Sequence, residues 1–148
     1  MESQMSEPKP KYKVKKMRIS EHEEQANFFA EVRFKYMHRD DFADDLLFSV
    51  PNGLWVGGKN PYALINKFKR EGMKPGVSDI LYLQPRGEYA YLAIELKALD
   101  KRNDADAVSP EQSRFLEAVN ASGGLGEVCY GAEEAMSIFA LYMSMEAK

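Results

Sequence analysis

The chain has 148 residues, a formal net charge of -3, 45% hydrophobic and 29% charged residues, and a single cysteine. That length fits one folded domain with its own core, no apolar run approaches the ~18 residues a membrane span needs, and one thiol excludes an internal disulfide. The N-terminus is polar and charged rather than signal-like, so composition predicts a soluble protein in a reducing, intracellular compartment.

The charge is unevenly spread. Lys9, Lys11, Lys13, Lys15, Lys16 and Arg18 face only Glu2 and Glu7, which makes residues 1–19 a basic arm ahead of a domain spanning 20–148. Such an arm suits contact with a phosphate backbone, or serves only as a solubilising, partly disordered tail.

From Ser20 to about Tyr36 the pattern predicts a helix opened by a capping box, Ser20 with Glu23 three residues on. At about 100° per residue Gln25, Phe28, Phe29, Val32 and Tyr36 share one stripe, with Glu21 at its edge, Glu24 further off and Glu23 nearly opposite. An acid on an apolar stripe is costly unless something positive awaits it. That singles out Glu21, although a first-turn carboxylate is also favoured by the helix dipole alone.

Leu46 to Val50 reads as a short strand ended by Pro51-Asn52-Gly53. Asn60-Pro61 caps and starts a second helix, with Leu64, Ile65 and Phe68 inward, Gly72 at its end, and Lys67, Lys69 and Arg70 outward. A charged face is either solvated or a phosphate contact; Lys67 and the following Lys74 are the candidate substrate contacts.

Ser78 to Ala98, SDILYLQPRGEYAYLAIELKA, reads as two strands around a Pro/Gly turn. Alternation places Tyr89, Tyr91, Ala93, Glu95 and Lys97 on one face and Ala90, Leu92, Ile94 and Leu96 on the other. With the turn near Gly87, Asp79 falls opposite Ala93 or Glu95. An odd-numbered loop brings Asp79, Glu95 and Lys97 to one face, whereas a two-residue loop does not.

A second capping box, Ser109-Pro110-Glu111-Gln112, opens a helix with Gln112, Phe115, Leu116 and Val119 on one face. Gly123-Gly124 ends it, Val128 to Tyr130 is a further strand, and Glu133 to about Met145 a final helix. Cys129 lies in that apolar strand, where a buried structural thiol is the expectation. The alternation of elements predicts an α/β fold, a mixed sheet flanked by helices.

Two carboxylates held together repel each other, and their clustering suggests a cation between them. Oxygen ligands without cysteine or histidine favour Mg²⁺ or Mn²⁺ over zinc, and His22 and His38 are too few and too far apart for a zinc motif. Mg²⁺ commonly binds one or two carboxylates together with substrate phosphates, which points to phosphodiesters. Lys97 beside Glu95 suits holding and helping to deprotonate an attacking water, or neutralising the transition state. The plainer reading is a Glu95–Lys97 ion pair at a strand end with Asp79 capping a turn.

The ordered set, Glu21, Asp79, Glu95-Leu96-Lys97 and Gln112, with the strings SEHEEQ, VPNG, KPGVSDI, IELKA and SPEQ, resembles the VRR-NUC (virus-type replication-repair nuclease) domain of the PD-(D/E)xK nuclease superfamily. The strings run from Ser20, and the resemblance reaches about Met145. It implies a restriction-endonuclease-like mixed β-sheet flanked by α-helices. It also implies metal ligation by Asp79 and Glu95, by Glu21 directly or through water, and by the carbonyl of Leu96. Lys97 would act on the attacking water, Gln112 would orient a site group, and Asn52 and Gly53 would form a family turn near the site. Ser78 stands where the superfamily has proline, which removes rigidity but no ligand.

The implied activity is Mg²⁺- or Mn²⁺-dependent hydrolysis of DNA, structure-selective and directed at four-way (Holliday) junctions by a homodimer. The setting would be the cytoplasm of a bacterium or of a virus-infected host cell. Flap, nicked or single-stranded DNA, RNA, or a non-catalytic nucleic-acid-binding module of the same fold are the alternatives. No helix-turn-helix or zinc finger suited to reading bases is evident, so recognition by shape and phosphate position is expected.

Overall fold

The computed structural model describes residues 17–51 and 60–148; the basic arm up to residue 16 and the turn residues Asn52 and Gly53 lie outside them. The elements follow as α1 (Glu21–Tyr36), β1 (Leu47–Ser49), α2 (Pro61–Arg70), β2 (Ile80–Tyr82), β3 (Leu92–Lys97), α3 (Pro110–Ala121), β4 (Leu125–Tyr130) and α4 (Ala132–Ser144). Single 3₁₀ turns precede β1 and follow β3.

Local chemistry sets the helix starts. Ser20 accepts from the Glu23 amide while the Glu23 side chain reaches back, and Ser109 and Gln112 repeat the arrangement at α3. Asn60 caps α2, with Pro61 in its first turn where a missing N–H costs nothing.

The four strands lie in the order β1-β2-β3-β4, the first two pairs antiparallel and β3–β4 parallel across the α3 crossover. This is the mixed sheet expected from the alternation of elements. All of β3 is buried, because both of its faces are covered. On one face Ile94 and Leu96, with Ile80, Tyr82 and Cys129, meet Phe28, Val32 and Tyr36 of α1 and Met136, Phe139 and Tyr142 of α4 in the main core. Phe139 is ringed edge-on by Phe28, Tyr36 and Phe42. On the other face α3 lies so close over β4 that a Cβ on Gly126 would come within 3.1 Å of Val119 and 3.2 Å of Leu116.

The β2–β3 connection, residues 83–91, is odd in length. Arg86 holds it in place, and its side chain is 1% exposed. Nε meets Gln84, Nη1 donates to the carbonyls of Met143 and Met145, and Nη2 donates to the Asp41 carbonyl and carboxylate. Every guanidinium N–H is thereby engaged, which allows a charged group to be buried. As expected, Cys129 is buried, and burial pushes its thiol up to about 12. No helix among the described residues is long and apolar enough to cross a membrane.

Candidate metal centre

Register builds the site. Ile80 pairs with Ile94, so Asp79 stands one step further along, opposite Glu95 and on the same face of the sheet as Glu95 and Lys97. The Asp79 carboxylate then accepts the Leu96 amide at 2.8 Å, taking a ladder donor that β2 has stopped pairing. In a strand a residue's N–H and C=O point the same way, so the Leu96 carbonyl faces this same open edge.

Glu95 is 0% exposed. Its Oε1 accepts from Gln112 Nε2 at 2.6 Å and from Lys97 Nζ at 2.9 Å. Among the described residues, its Oε2 is buried and takes no hydrogen bond. Burial first, and then the neighbouring Asp79 charge, push the Glu95 carboxyl up to about 7 against the opposing pull of Lys97. A bare carboxylate oxygen beside a second carboxylate, fringed by a carbonyl, is an all-oxygen donor set of the kind hard divalent cations take. The oxygen atoms of Asp79, Glu95 and the Leu96 carbonyl are therefore of the type that fits Mg²⁺ or Mn²⁺.

Gln112 joins the helix cap to the site. Its Oε1 accepts from the Ser109 amide at 2.8 Å and from Lys97 Nζ at 3.3 Å, which obliges Nε2 to face Glu95. One side chain thus completes the capping box and fixes both Glu95 and Lys97. The inward placement expected for Gln112 is realised, and the odd-numbered loop does bring Asp79, Glu95 and Lys97 to one face.

The α1 acids are arranged differently from the helical-phase expectation. Glu24, not Glu21, is the buried acid, in line with Phe28, Val32 and Tyr36 at four-residue steps. Its carboxylate accepts the Ala132 amide at 2.7 Å and so caps α4, whose N-cap Gly131 has no side chain to offer. Extending the Phe28, Val32, Tyr36 series back by four residues was the signal for it. Glu21 is exposed in the first turn of α1. Among the described residues, no cluster of three or more acids, histidines or cysteines suited to an ion forms, so Glu21 is not a third direct member of a set with Asp79 and Glu95.

Lys67 and Lys74 are exposed, Lys67 at 3.8 Å from Glu71 on its own helix. Asn52 and Gly53, the expected turn near the site, fall outside the described residues. His22 and His38 are exposed, away from any zinc motif. Ser78 is fully buried with its hydroxyl unpartnered among the described residues.

Comparison with known proteins adds two findings. A family model described as the VRR-NUC domain matches residues 58–133, just over half of the 148. That span includes Asp79, Glu95, Lys97 and Gln112 and begins after Glu21. A solved structure described as a VRR_NUC domain protein is 22% identical and superposes with a TM-score of 0.67, covering 88% of this chain and 93% of its own. At that identity the likeness speaks for the fold. No curated protein matches the chain.

Proposed function

The chain belongs to the VRR-NUC domain family, a nuclease-type family of DNA processing, and from that premise we propose that it is a metal-dependent, structure-selective DNA endonuclease that resolves four-way junctions. The observation that carries the reading is the buried Glu95, with one oxygen fixed by Gln112 and Lys97 and the other left bare beside Asp79.

Asp79, Glu95 and the Leu96 carbonyl would hold Mg²⁺ or Mn²⁺, with Glu21 reaching the same ion through water. Bound there, the ion supplies polarisation of the scissile phosphate and acidification of the attacking water. Lys97 Nζ, held between Glu95 and Gln112, presents its N–H groups to that water and to the charge that grows on the phosphate. Gln112 keeps Lys97 and Glu95 at a fixed separation, so neither side chain needs to reorganise during the reaction.

Lys67 and Lys74, together with the turn at Asn52 and Gly53, are assigned to the DNA backbone. Contacts of that kind read the shape of a branch rather than its bases. Resolution of a junction needs two cuts, which two copies of the chain would supply. An intracellular location suits a DNA substrate and the single buried thiol.

The test incubates the purified protein with a labelled four-way junction and a matched linear duplex, with Mg²⁺, Mn²⁺ or EDTA, beside Glu95→Ala. Paired cuts in the junction alone, lost with EDTA and in the variant, are expected. Equal cutting of the duplex would overturn junction selectivity. Cutting by Glu95→Ala would overturn the site.

A further inference from the structure

The carboxylates and their clamp come from separate parts of the chain: Asp79 precedes β2, whereas Gln112 opens α3. Gly76 brings these two parts into close backbone contact. Gly76 has φ +86°, and a Cβ placed on it would lie 2.4 Å from the Glu111 carbonyl carbon, 2.6 Å from its oxygen and 2.7 Å from the Gln112 nitrogen. All three are backbone atoms of the first turn of α3, so no side chain can swing aside to make room. The contacted peptide is the one whose N–H donates to Ser109 Oγ in the capping box.

We infer that Gly76 is a positioning residue of the metal centre: by seating the loop that carries Asp79 directly on the Glu111–Gln112 peptide, it fixes Asp79 relative to the Gln112–Glu95–Lys97 set. The inference rests on the reading of Asp79 and Glu95 as a cation site. Two other glycines provide internal controls. Gly72 at φ +102° and Gly123 at φ +92° need the same left-handed backbone, yet a Cβ at either meets nothing within 4 Å. Alanine at those positions adds conformational strain alone. Alanine at Gly76 adds the same strain and a backbone collision.

Titrating Mn²⁺ into the wild-type chain and into Gly76→Ala, Gly72→Ala and Gly123→Ala tests the inference. Gly76→Ala should bind at least about tenfold more weakly, as expected when the support of a metal ligand is lost, with the two controls close to wild type. Folded Gly76→Ala with wild-type affinity, or equal weakening in all three variants, would overturn the inference. Should Gly76→Ala fold poorly, amide exchange of the wild-type chain decides: Mg²⁺ should protect the amides of Gln112 and Ser113, and unchanged exchange there would sink the coupling. A wild-type chain that binds no Mn²⁺ marks the failure of the cation-site reading itself, a result distinct from every variant outcome.

Discussion

Gln112 Nε2 lies 2.6 Å from Glu95 Oε1, and the same amide group, through its oxygen, receives the Ser109 N–H that caps α3. Helix capping and site geometry therefore share one side chain. Gln112→Ala should lower stability by about 1–2 kcal/mol, from a lost cap contact and a buried carboxylate missing a donor. It should also reduce cleavage with little change in the amount of DNA bound. Denaturant titration beside single-turnover cleavage measures both, and loss of stability without loss of rate would confine Gln112 to capping.

Glu95 predicts an unusual pH dependence for the metal-free protein. Its carboxyl is raised from 4.5 to about 7 by burial and by Asp79, so the folded chain keeps a proton that the unfolded chain releases. Stability should therefore fall as pH rises from about 4.5 to 7, by at most about 1.4 kcal/mol per unit, and level off above that. Asp41, held down to about 2 by Arg39 and then Arg86, acts in a separate window, its stabilisation fading as pH drops through the acid range below 3.8. Urea midpoints between pH 4.5 and 8 should show the Glu95 slope in the wild type and lose it in Glu95→Gln. An unchanged slope in the variant would assign it to other groups.

Glu21 and Glu24 should separate cleanly. Glu24→Gln weakens the cap on α4 and should cost about 1 kcal/mol of stability, because a charge-assisted bond at a helix N-terminus becomes a neutral one. Glu21→Gln, at an exposed position, should leave the melting temperature unchanged while slowing cleavage. Full activity in Glu21→Gln would remove α1 from the reaction.

Arg86 should behave as a structural keystone. Arg86→Ala strands the carbonyls of Asp41, Met143 and Met145 in the interior, and a loss of about 3–5 kcal/mol is expected. Arg86→Lys should recover only part of it, because an ammonium cannot reproduce the planar fork. Chemical denaturation of the two variants checks this, and near-wild-type stability of Arg86→Ala would contradict it.

Much of this architecture was legible in the residues where the signals are local. Ser20 with Glu23, Asn60 with Pro61 and Ser109 with Gln112 place three helix starts correctly, because a cap is a contact between residues three apart. Period-two alternation put Glu95 and Lys97 on one face, but the sequence left the loop length open, and only the structure's odd connection, residues 83–91, carries Asp79 to join them. The strand expected at Val128 to Tyr130 in fact starts at Leu125, where parallel pairing with Leu92 begins, and Gly126 within it lets α3 lie close on β4. What stayed hidden depends on distant partners. The four-residue steps of α1 point to Glu24 as buried, but not to its partner Ala132; Arg86 likewise meets Met143 and Asp41, and Gly76 meets the Glu111–Gln112 peptide, contacts that no local pattern encodes.

The central claim is that Asp79 and Glu95 form a divalent-cation site, and calorimetric titration of Mn²⁺ into metal-free protein tests it most directly. One site per chain in the wild type, abolished in Asp79→Asn and in Glu95→Gln but kept in Lys97→Met, is the predicted result. No heat from the wild type, or undiminished binding by Glu95→Gln, would contradict it.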